Sequence, residues 1–195
     1  MRKFLNVGGS SKAIPVPSYY AGWEHLLLDI DPRGNPDIAC DARELMTLAP
    51  KEFDAIYCSH NLEHYYQHDV SRVLAGFIHL LKDDGFADIR VPDVGQVATK
   101  LATDKIDIDD VLYVSAAGPI TAHDVIYGWG LEIERSGQDF YAHKSGFTES
   151  SLRNVLRLAG FPYVYAGSIS LEIRALAFVN EPKGFAIELL GLPRN

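Results

Sequence analysis

Residues 53–91 decide the fold, and they read FDAIYCSHNLEHYYQHDVSRVLAGFIHLLKDDGFADIRV. The first seven residues, 53–59, form a short and mostly apolar run, which predicts a buried strand. Apolar residues then recur at spacings of three and four over 70–81, which predicts an amphipathic helix. We expect the Asp-Asp-Gly sequence at 83–85 to end this helix, with its glycine in a left-handed conformation, before a strand at 86–91. A strand, a helix and a second strand in this order predict a parallel sheet covered by helices.

The rest of the chain repeats this alternation of short apolar runs and amphipathic stretches. The apolar runs predict five further strands, at 3–7, 25–30, 37–40, 163–168 and 173–179, with the last two forming an antiparallel pair. Two prolines at 14–20 predict an irregular loop in place of a first helix. We therefore predict that residues 1–195 form one α/β domain. Its doubly wound, mostly parallel, seven-stranded sheet would have an antiparallel closing strand and a mid-chain insertion at 93–147.

Capping residues and periodic stretches predict the remaining helices. Asp41 is a candidate N-cap for a short helix at 42–48, and Thr148 is a candidate N-cap for the helix that precedes Gly160 and Pro162. Within the insertion, two further helices are predicted at 93–103 and 121–127.

Composition limits the classes of partner and compartment. The net charge of −8 on 195 residues gives no general attraction to phosphate backbones or anionic lipid, so neither nucleic acid nor a membrane is the expected partner. Cys40 and Cys58 do not have the spacing of a zinc site. With two cysteines and no secretory leader, the chain is expected in the cytoplasm.

Three features follow the first three predicted strands, where a doubly wound sheet binds its ligand. Gly8, Gly9 and Ser10 form a loop of small residues, which serves either close approach of a ligand or a plain turn. Asp29 could accept both hydroxyl hydrogens of a ribose or be a solvated turn residue. Asp41 could accept from an adenine amino group as well as cap a helix. Together they favour a nucleoside-bearing cofactor, while the absence of G-x-G-x-x-G disfavours a nicotinamide dehydrogenase.

The segments LNVGG, GWEHLLLDIDP, PDIACDAREL and FDAIYCSHNLEH, followed by LKDDG and VPD, resemble the class I S-adenosylmethionine (SAM)-dependent methyltransferases. The closest likeness is to the type 11 group; it covers residues 3–93 and resumes at 143–161, HKSGFTESSLRNVLRLAGF. The resemblance implies a Rossmann-like fold, SAM as the cofactor and S-adenosylhomocysteine (SAH) as the product. It also implies in-line methyl transfer to a small-molecule acceptor, by analogy a saccharide or another metabolite.

The resemblance also implies roles for individual residues. The glycine loop would line the methionine and ribose portion of SAM, and Asp29 would hold the ribose hydroxyls. The adenine would lie beside Ile30 and contact Asp41 and Ala42. The sulfonium and the acceptor would be bordered by Ser59, His60 and Asn61. Two departures from the group's pattern, Ser10 in place of the second glycine and the missing first helix, keep open an alternative: a catalytically weak or inactive partner protein of the same fold.

Residues 60–64, HNLEH, also spell the H-x-x-E-H pattern of inverted zincin peptidases. On a helix, His60 and His64 would share one face and bind zinc, with Glu63 as the base. Because the pattern directly follows a strand and no acidic ligand follows on a later helix, we predict no metal site. The zinc hydrolase remains an alternative function.

Methyl transfer depends mainly on alignment, so the sequence nominates no catalytic dyad. If the acceptor is a hydroxyl, a general base helps, and the candidate bases are His64, His123 and His143. The aromatic-rich insertion is predicted to be either a substrate lid or the contact of a homodimer. Its aromatic residues and histidine are Tyr113, His123, Tyr127, Trp129, Phe140 and Tyr141.

Overall fold

The computed structural model describes residues 1–115 and 118–193. Nine strands occur in the described part of the chain: β1 Lys3–Val7, β2 Glu24–Asp29, β3 Ile38–Ala39, β4 Phe53–Ser59, β5 Leu81–Pro92, β6 Val111–Ser115, β7 Gly118–Thr121, β8 Tyr163–Ile169 and β9 Glu172–Phe178. The α-helices of the same residues are α1 Gln67–Leu80, α2 Val94–Asp104, α3 Ala122–Tyr127, α4 Gly130–Ser136, α5 Glu149–Ala159 and α6 Gly184–Leu190. None of these helices combines the length and apolarity needed to cross a bilayer.

Seven strands form one sheet in the order β3-β2-β1-β4-β5-β9-β8. Strands β1 to β5 pair in parallel, and β9 lies antiparallel between β5 and β8. The predicted doubly wound, seven-stranded, Rossmann-like sheet with an antiparallel closing strand is therefore confirmed. The strand order reverses between β1 and β4, so a ligand crevice is expected at the carboxyl ends of these two strands.

The two faces of the sheet are covered differently. Helices α1 and α5 cover one face, where Phe77, Leu156 and Phe161 are buried in the larger core cluster. On the other face the predicted loop replaces the first helix, and its only regular turn is the 3-10 helix Ser18–Tyr20. Tyr20 stacks on Phe4 with ring centroids 4.3 Å apart, and it shares the second core cluster with residues of α6, so the loop and α6 together cover this face.

The ends of several elements differ from the sequence prediction. Helix α1 does not end at residues 83–85, because Leu81 already has an extended backbone (φ −72°, ψ 135°) and the chain passes directly into β5. Leu81 pairs with Phe53 and is buried, so its side chain is taken up by the sheet instead of the helix. The prediction of a left-handed Gly85 is therefore wrong. The strand predicted at 37–40 is also shorter, at Ile38–Ala39.

The predicted N-caps are present. Asp41 accepts a hydrogen bond from the backbone N–H of Arg43, although the helix that it caps, Ala42–Thr47, is a 3-10 helix. Thr148 caps α5 through a reciprocal bond with Ser151. The two helices predicted within the insertion are found as α2 and α3, and the insertion also contains the β6–β7 hairpin and α4.

Candidate functional site

A crevice of about 320 Å³ opens at the carboxyl ends of β1, β2 and β4, beside the point where the strand order reverses. Most of the cofactor-binding residues predicted from the sequence line it: Gly8, Ser10, Asp29, Ile30, Asp41, His60 and Asn61. The other three predicted residues, Gly9, Ala42 and Ser59, do not line it. The prediction from strand ends therefore brought together residues that are far apart in the chain.

The glycine loop is shaped by close contacts with two asparagines. Gly8 has a φ of +71°, and a Cβ there would lie 2.1 Å from the side-chain amide of Asn61. A Cβ on Gly9 would lie 2.2 Å from the side chain of Asn6. Ser10, where the type 11 pattern has glycine, is left-handed at φ +57°. The loop therefore keeps the conformation that a glycine would favour, with a serine in it.

Asp29 lies at the end of β2 and is 7% exposed. Its Oδ2 accepts the backbone N–H of Ser10 at 2.8 Å, and its Oδ1 accepts the backbone N–H of Asp31 at 2.8 Å. A carboxylate offers about four acceptor positions, so each oxygen keeps one for another donor. Asp29 thus fixes the glycine loop and also presents acceptors at the crevice, which is the arrangement that a ribose diol needs.

The proposed adenine side of the crevice combines an apolar and an acidic residue. Ile30 is 44% exposed, which is unusual for a large apolar side chain directly after a buried strand. Asp41 lies nearby, but both of its oxygens accept from the guanidinium of Arg43, at 2.6 to 3.1 Å. Partial burial opposes ionisation of Asp41, and the hydrogen bonds from Arg43 outweigh it and lower its pKa. Ala42 is buried and does not line the crevice.

Two residues after β4 border the middle of the crevice. Asn61 has a buried Oδ1 that has no hydrogen-bond partner among the described residues. An unpaired buried acceptor of this kind is costly unless a ligand supplies the donor. His60 is left-handed at φ +50°, and its Nε2 lies 2.9 Å from Glu172 Oε2. Burial opposes protonation of His60, but Glu172 and Glu63 raise its pKa to about 10.

The insertion contributes aromatic side chains to the lining of the crevice. Trp129, Phe140 and Tyr141 line it, while Tyr113 and Tyr127 do not. The hydroxyl of Tyr141 donates to Asp31 Oδ2 at 2.8 Å, which ties the insertion to the loop after β2. Hydrogen bonding from the Arg33 guanidinium lowers the pKa of Asp31 to about 2, so this carboxylate is a permanent acceptor for Tyr141.

Of the three candidate bases, only His64 lines the crevice. Its Nδ1 donates to the carbonyl of Ala142 at 3.1 Å, and the ring lies against His143, with centroids 4.8 Å apart. His143 lies behind it; burial lowers the pKa of His143 although Glu63 opposes this effect. His123 is exposed and contacts Tyr127.

The arrangement of residues 60–64 differs from that of an inverted zincin. His60 precedes the 3-10 helix Leu62–His64 in a left-handed conformation, so His60 and His64 do not share a helical face. His60 bonds to Glu172 on β9, whereas His64 bonds to the insertion. The ligand geometry that the hydrolase alternative requires is therefore not present.

Several residues that line the crevice were missed by sequence reasoning. They are Ile14, Arg43, Tyr65, Tyr66, Asp69 and Lys144. The only signal for them was position: Tyr65 and Tyr66 directly follow the SHNLEH segment, and Lys144 belongs to the HKSGF segment. A wider groove of about 970 Å³ lies between α2 and α5, but it contains none of the residues that end β1, β2 or β4.

The chain is similar to known proteins in part of its sequence and in its fold. The family model of the type 11 methyltransferase domain (Methyltransf_11) matches residues 23–88, which include Asp29, Asp41 and Asn61. No curated protein sequence matches the chain significantly.

Three solved structures illustrate the structural similarity. A SAM-dependent methyltransferase from Archaeoglobus fulgidus is 15% identical at a TM-score of 0.56, covering 90% of this chain and 85% of its own. The PH0226 protein from Pyrococcus horikoshii OT3 is 14% identical at a TM-score of 0.57, and the alignment covers 94% of this chain and 83% of that protein. The 1,6-didemethyltoxoflavin-N1-methyltransferase from Burkholderia thailandensis was solved with 1,6-didemethyltoxoflavin and SAH bound. It is 19% identical at a TM-score of 0.53, and the alignment covers 90% of this chain and 69% of that protein. At these identities the similarity establishes the fold.

The family match and the fold point in one direction, and neither supports a peptidase. The zinc hydrolase alternative is therefore not supported.

Proposed function

We propose that this SAM-dependent methyltransferase, whose residues 23–88 match the type 11 methyltransferase domain, methylates a small molecule held between the sheet and the insertion. The observation that carries the proposal is the division of the crevice. Acceptors for a nucleoside lie at the strand ends, and three aromatic side chains and Lys144 of the insertion line the same crevice. A crevice of about 320 Å³ suits small molecules better than a macromolecule.

The cofactor side follows from the contacts of the described residues. Asp29 would accept from the ribose hydroxyls with its two remaining acceptor positions, and Gly8 lets the side chain of Asn61 pack directly against the loop. The unpartnered Oδ1 of Asn61 would accept a donor from the ligand. Ile30 would pack against the adenine ring. When bound, SAM supplies a methyl group that is already activated for displacement, so the protein mainly has to align the acceptor and exclude water.

The acceptor side is lined by Trp129, Phe140 and Tyr141, with Lys144 near the ring of Tyr66. Flat aromatic faces pack against the C–H faces of a sugar or against a heteroaromatic ring. The Burkholderia neighbour acts on a compound of the second kind, 1,6-didemethyltoxoflavin. We therefore propose a saccharide or a comparable polar metabolite as the acceptor.

His64 is the best-placed general base for a hydroxyl acceptor. Because its Nδ1–H is used by the carbonyl of Ala142, its Nε2 carries the lone pair in the neutral ring. The same bond fixes the direction of the ring at the wall of the crevice. His123 would not serve this reaction from its exposed position.

The insertion is proposed to be the lid of this site. The bond from Tyr141 to Asp31 supports this role, because it attaches the insertion where the crevice begins. A homodimer contact through the exposed Tyr113 and Val114 is the alternative for the outer hairpin. The acidic composition and the free Cys40 and Cys58 support a cytoplasmic location and a partner other than nucleic acid or membrane.

Tritium-labelled SAM tests the proposal when it is incubated with the protein and a cell extract fractionated by size. We expect label to enter the small-molecule fraction and not the protein or nucleic-acid fractions. We expect this label to decrease at least tenfold for His64→Gln and to be unchanged for His123→Gln if the acceptor is a hydroxyl. Binding of SAH without any transfer would favour the inactive-partner alternative. Label in the macromolecular fractions would contradict a small-molecule acceptor.

A further inference from the structure

Glu63 is a buried carboxylate without a hydrogen-bonded partner. Its side chain is 2% exposed, and neither Oε1 nor Oε2 has a hydrogen bond among the described residues. The nearest cationic group is Nδ1 of His60, at 3.6 Å from Oε1, and His60 is already bonded to Glu172 through its other nitrogen. His60 compensates part of the charge of Glu63, but both buried carboxylate oxygens lack a hydrogen bond, so this position can still accept a further partner.

Two histidines of the same cluster, His64 and His143, each bond through one ring nitrogen to a backbone carbonyl. Nδ1 of His64 bonds to the carbonyl of Ala142 at 3.1 Å, and Nδ1 of His143 bonds to the carbonyl of Val125 at 2.9 Å. A carbonyl can only accept, so in each ring Nδ1 carries the hydrogen and Nε2 is left as a lone-pair donor in the neutral form. Histidines that ligate metals are usually oriented in this way, with the second ring nitrogen bonded to a backbone carbonyl or a carboxylate.

The three side chains are held together by the backbone. The carbonyl of Glu63 accepts from the N–H of Lys144 at 2.8 Å and of Ser145 at 3.0 Å, which fixes the turn after β4 against the end of the insertion. One ligand atom from each of Glu63, His64 and His143 lies within 4.8 Å of the others, and Oε1 of Glu63 is 3.9 Å from Nε2 of His143. Ligands bound to one metal ion at about 2.0–2.2 Å lie roughly 3–3.5 Å apart, so the atoms need to approach by about 1 Å.

We propose that Glu63, His64 and His143 bind one divalent transition-metal ion. Two imidazoles and one carboxylate suit Zn²⁺, Fe²⁺ or Ni²⁺ better than Mg²⁺ or Ca²⁺, and three protein ligands leave coordination positions open. This set differs from that of the hydrolase pattern, because His143 takes the place of His60. Metal binding by this set does not depend on the proposed acceptor. The lone pair of His64 cannot bind the ion and accept a proton at once, so His64 would act as general base only in the metal-free protein. Any role of the ion at the acceptor rests on the proposed function, since His64 also lines the crevice.

Metal analysis of protein prepared without a histidine tag tests the site, with Zn²⁺ as the probe. The protein is stripped with a chelator, dialysed against a slight excess of Zn²⁺, and analysed for bound zinc. We expect about one equivalent for the wild type, with a loss of affinity of at least 100-fold for Glu63→Gln and for His143→Gln. The exposed histidine variant His123→Gln is the matched control and should bind as the wild type does.

Two further measurements make the result decisive. Zn²⁺ should raise the Tm of the wild type and of His123→Gln and leave the Tm of the two ligand variants unchanged. If Glu63→Gln does not fold, the His143→Gln protein decides the question. Less than about 0.1 equivalent in the wild type, or equal binding by all variants, would overturn the proposal and leave Glu63 as the partner of a protonated histidine. Titration of the same samples with SAH separates this failure from a failure of the methyltransferase proposal.

Discussion

Replacing Asp29 with asparagine tests the cofactor side of the account most sharply. Each oxygen of Asp29 accepts one backbone N–H at 2.8 Å, and each is expected to accept one ribose hydroxyl as well. In Asp29→Asn, one of these oxygens becomes an NH₂ group, which would face a backbone donor of Ser10 or Asp31. The variant therefore loses acceptors for the ligand and also weakens the glycine loop.

The expected magnitude follows from these contacts. A hydrogen bond to a charged group contributes about 1.5–3 kcal/mol. Two such bonds to the ribose correspond to about 10²–10⁴-fold in Kd, and we expect SAH affinity to fall at least 100-fold. The unpaired backbone donor costs a further 1–3 kcal/mol or so of stability. For a chain of this length, each kcal/mol lowers the Tm by about 2–4 °C.

Isothermal titration with SAH well below the Tm separates the loss of SAH affinity from the loss of stability. Asp109→Asn, at an exposed position within the insertion, is the matched control and should retain wild-type affinity. Asp29→Glu keeps the charge and should fall between the two. A folded Asp29→Asn protein whose Kd for SAH lies within about threefold of the wild type would refute the assignment of the ribose site.

Three other predictions follow from single contacts. Gly8→Ala should reduce SAH affinity at least tenfold in titration calorimetry, because the added Cβ would displace Asn61. The control Gly22→Ala, at a similar φ but with open space around it, should lower only the stability. Equal SAH affinities of the two variants would contradict this. Tyr141→Phe should raise the KM for the acceptor by about two- to tenfold in steady-state kinetics and leave the Tm nearly unchanged, and an unchanged KM would argue against the lid. The folded pKa of His60, about 10, lies above its unfolded value, so its stabilisation is complete at pH values below about 6 and is lost as the pH rises toward 10. Urea titrations should show the difference between wild type and His60→Asn shrinking over that range; a constant difference would contradict the pairing with Glu172.

Much of the sheet could be predicted because its strands are short, apolar and separated by turn residues. The predicted bounds of β1 and β4 coincide with the observed ones. The places of Asp29 and Ser10 at the crevice could be predicted for the same reason, since residues at or just after the ends of parallel strands lie at one edge of the sheet. These inferences need only local pattern and the general geometry of a doubly wound fold.

What could not be predicted depends on contacts between distant segments. The end of α1 at Leu80 is set by the burial of Leu81 in the sheet, which periodicity does not reveal. The approach of His143 to Glu63 depends on how the insertion returns to β4, and no spacing in the sequence encodes that path. The hydrogen bond from Tyr141 to Asp31 likewise joins segments that are far apart in the sequence, and no local pattern predicts it.

A crystal structure of the protein with SAH tests the central claim most directly. We expect a nucleoside across the ends of β1 and β2, with its ribose hydroxyls within hydrogen-bonding distance of Asp29 and its adenine against Ile30. A crevice filled by the protein's own side chains, or SAH bound with Asp29 directed away from the ribose, would contradict it.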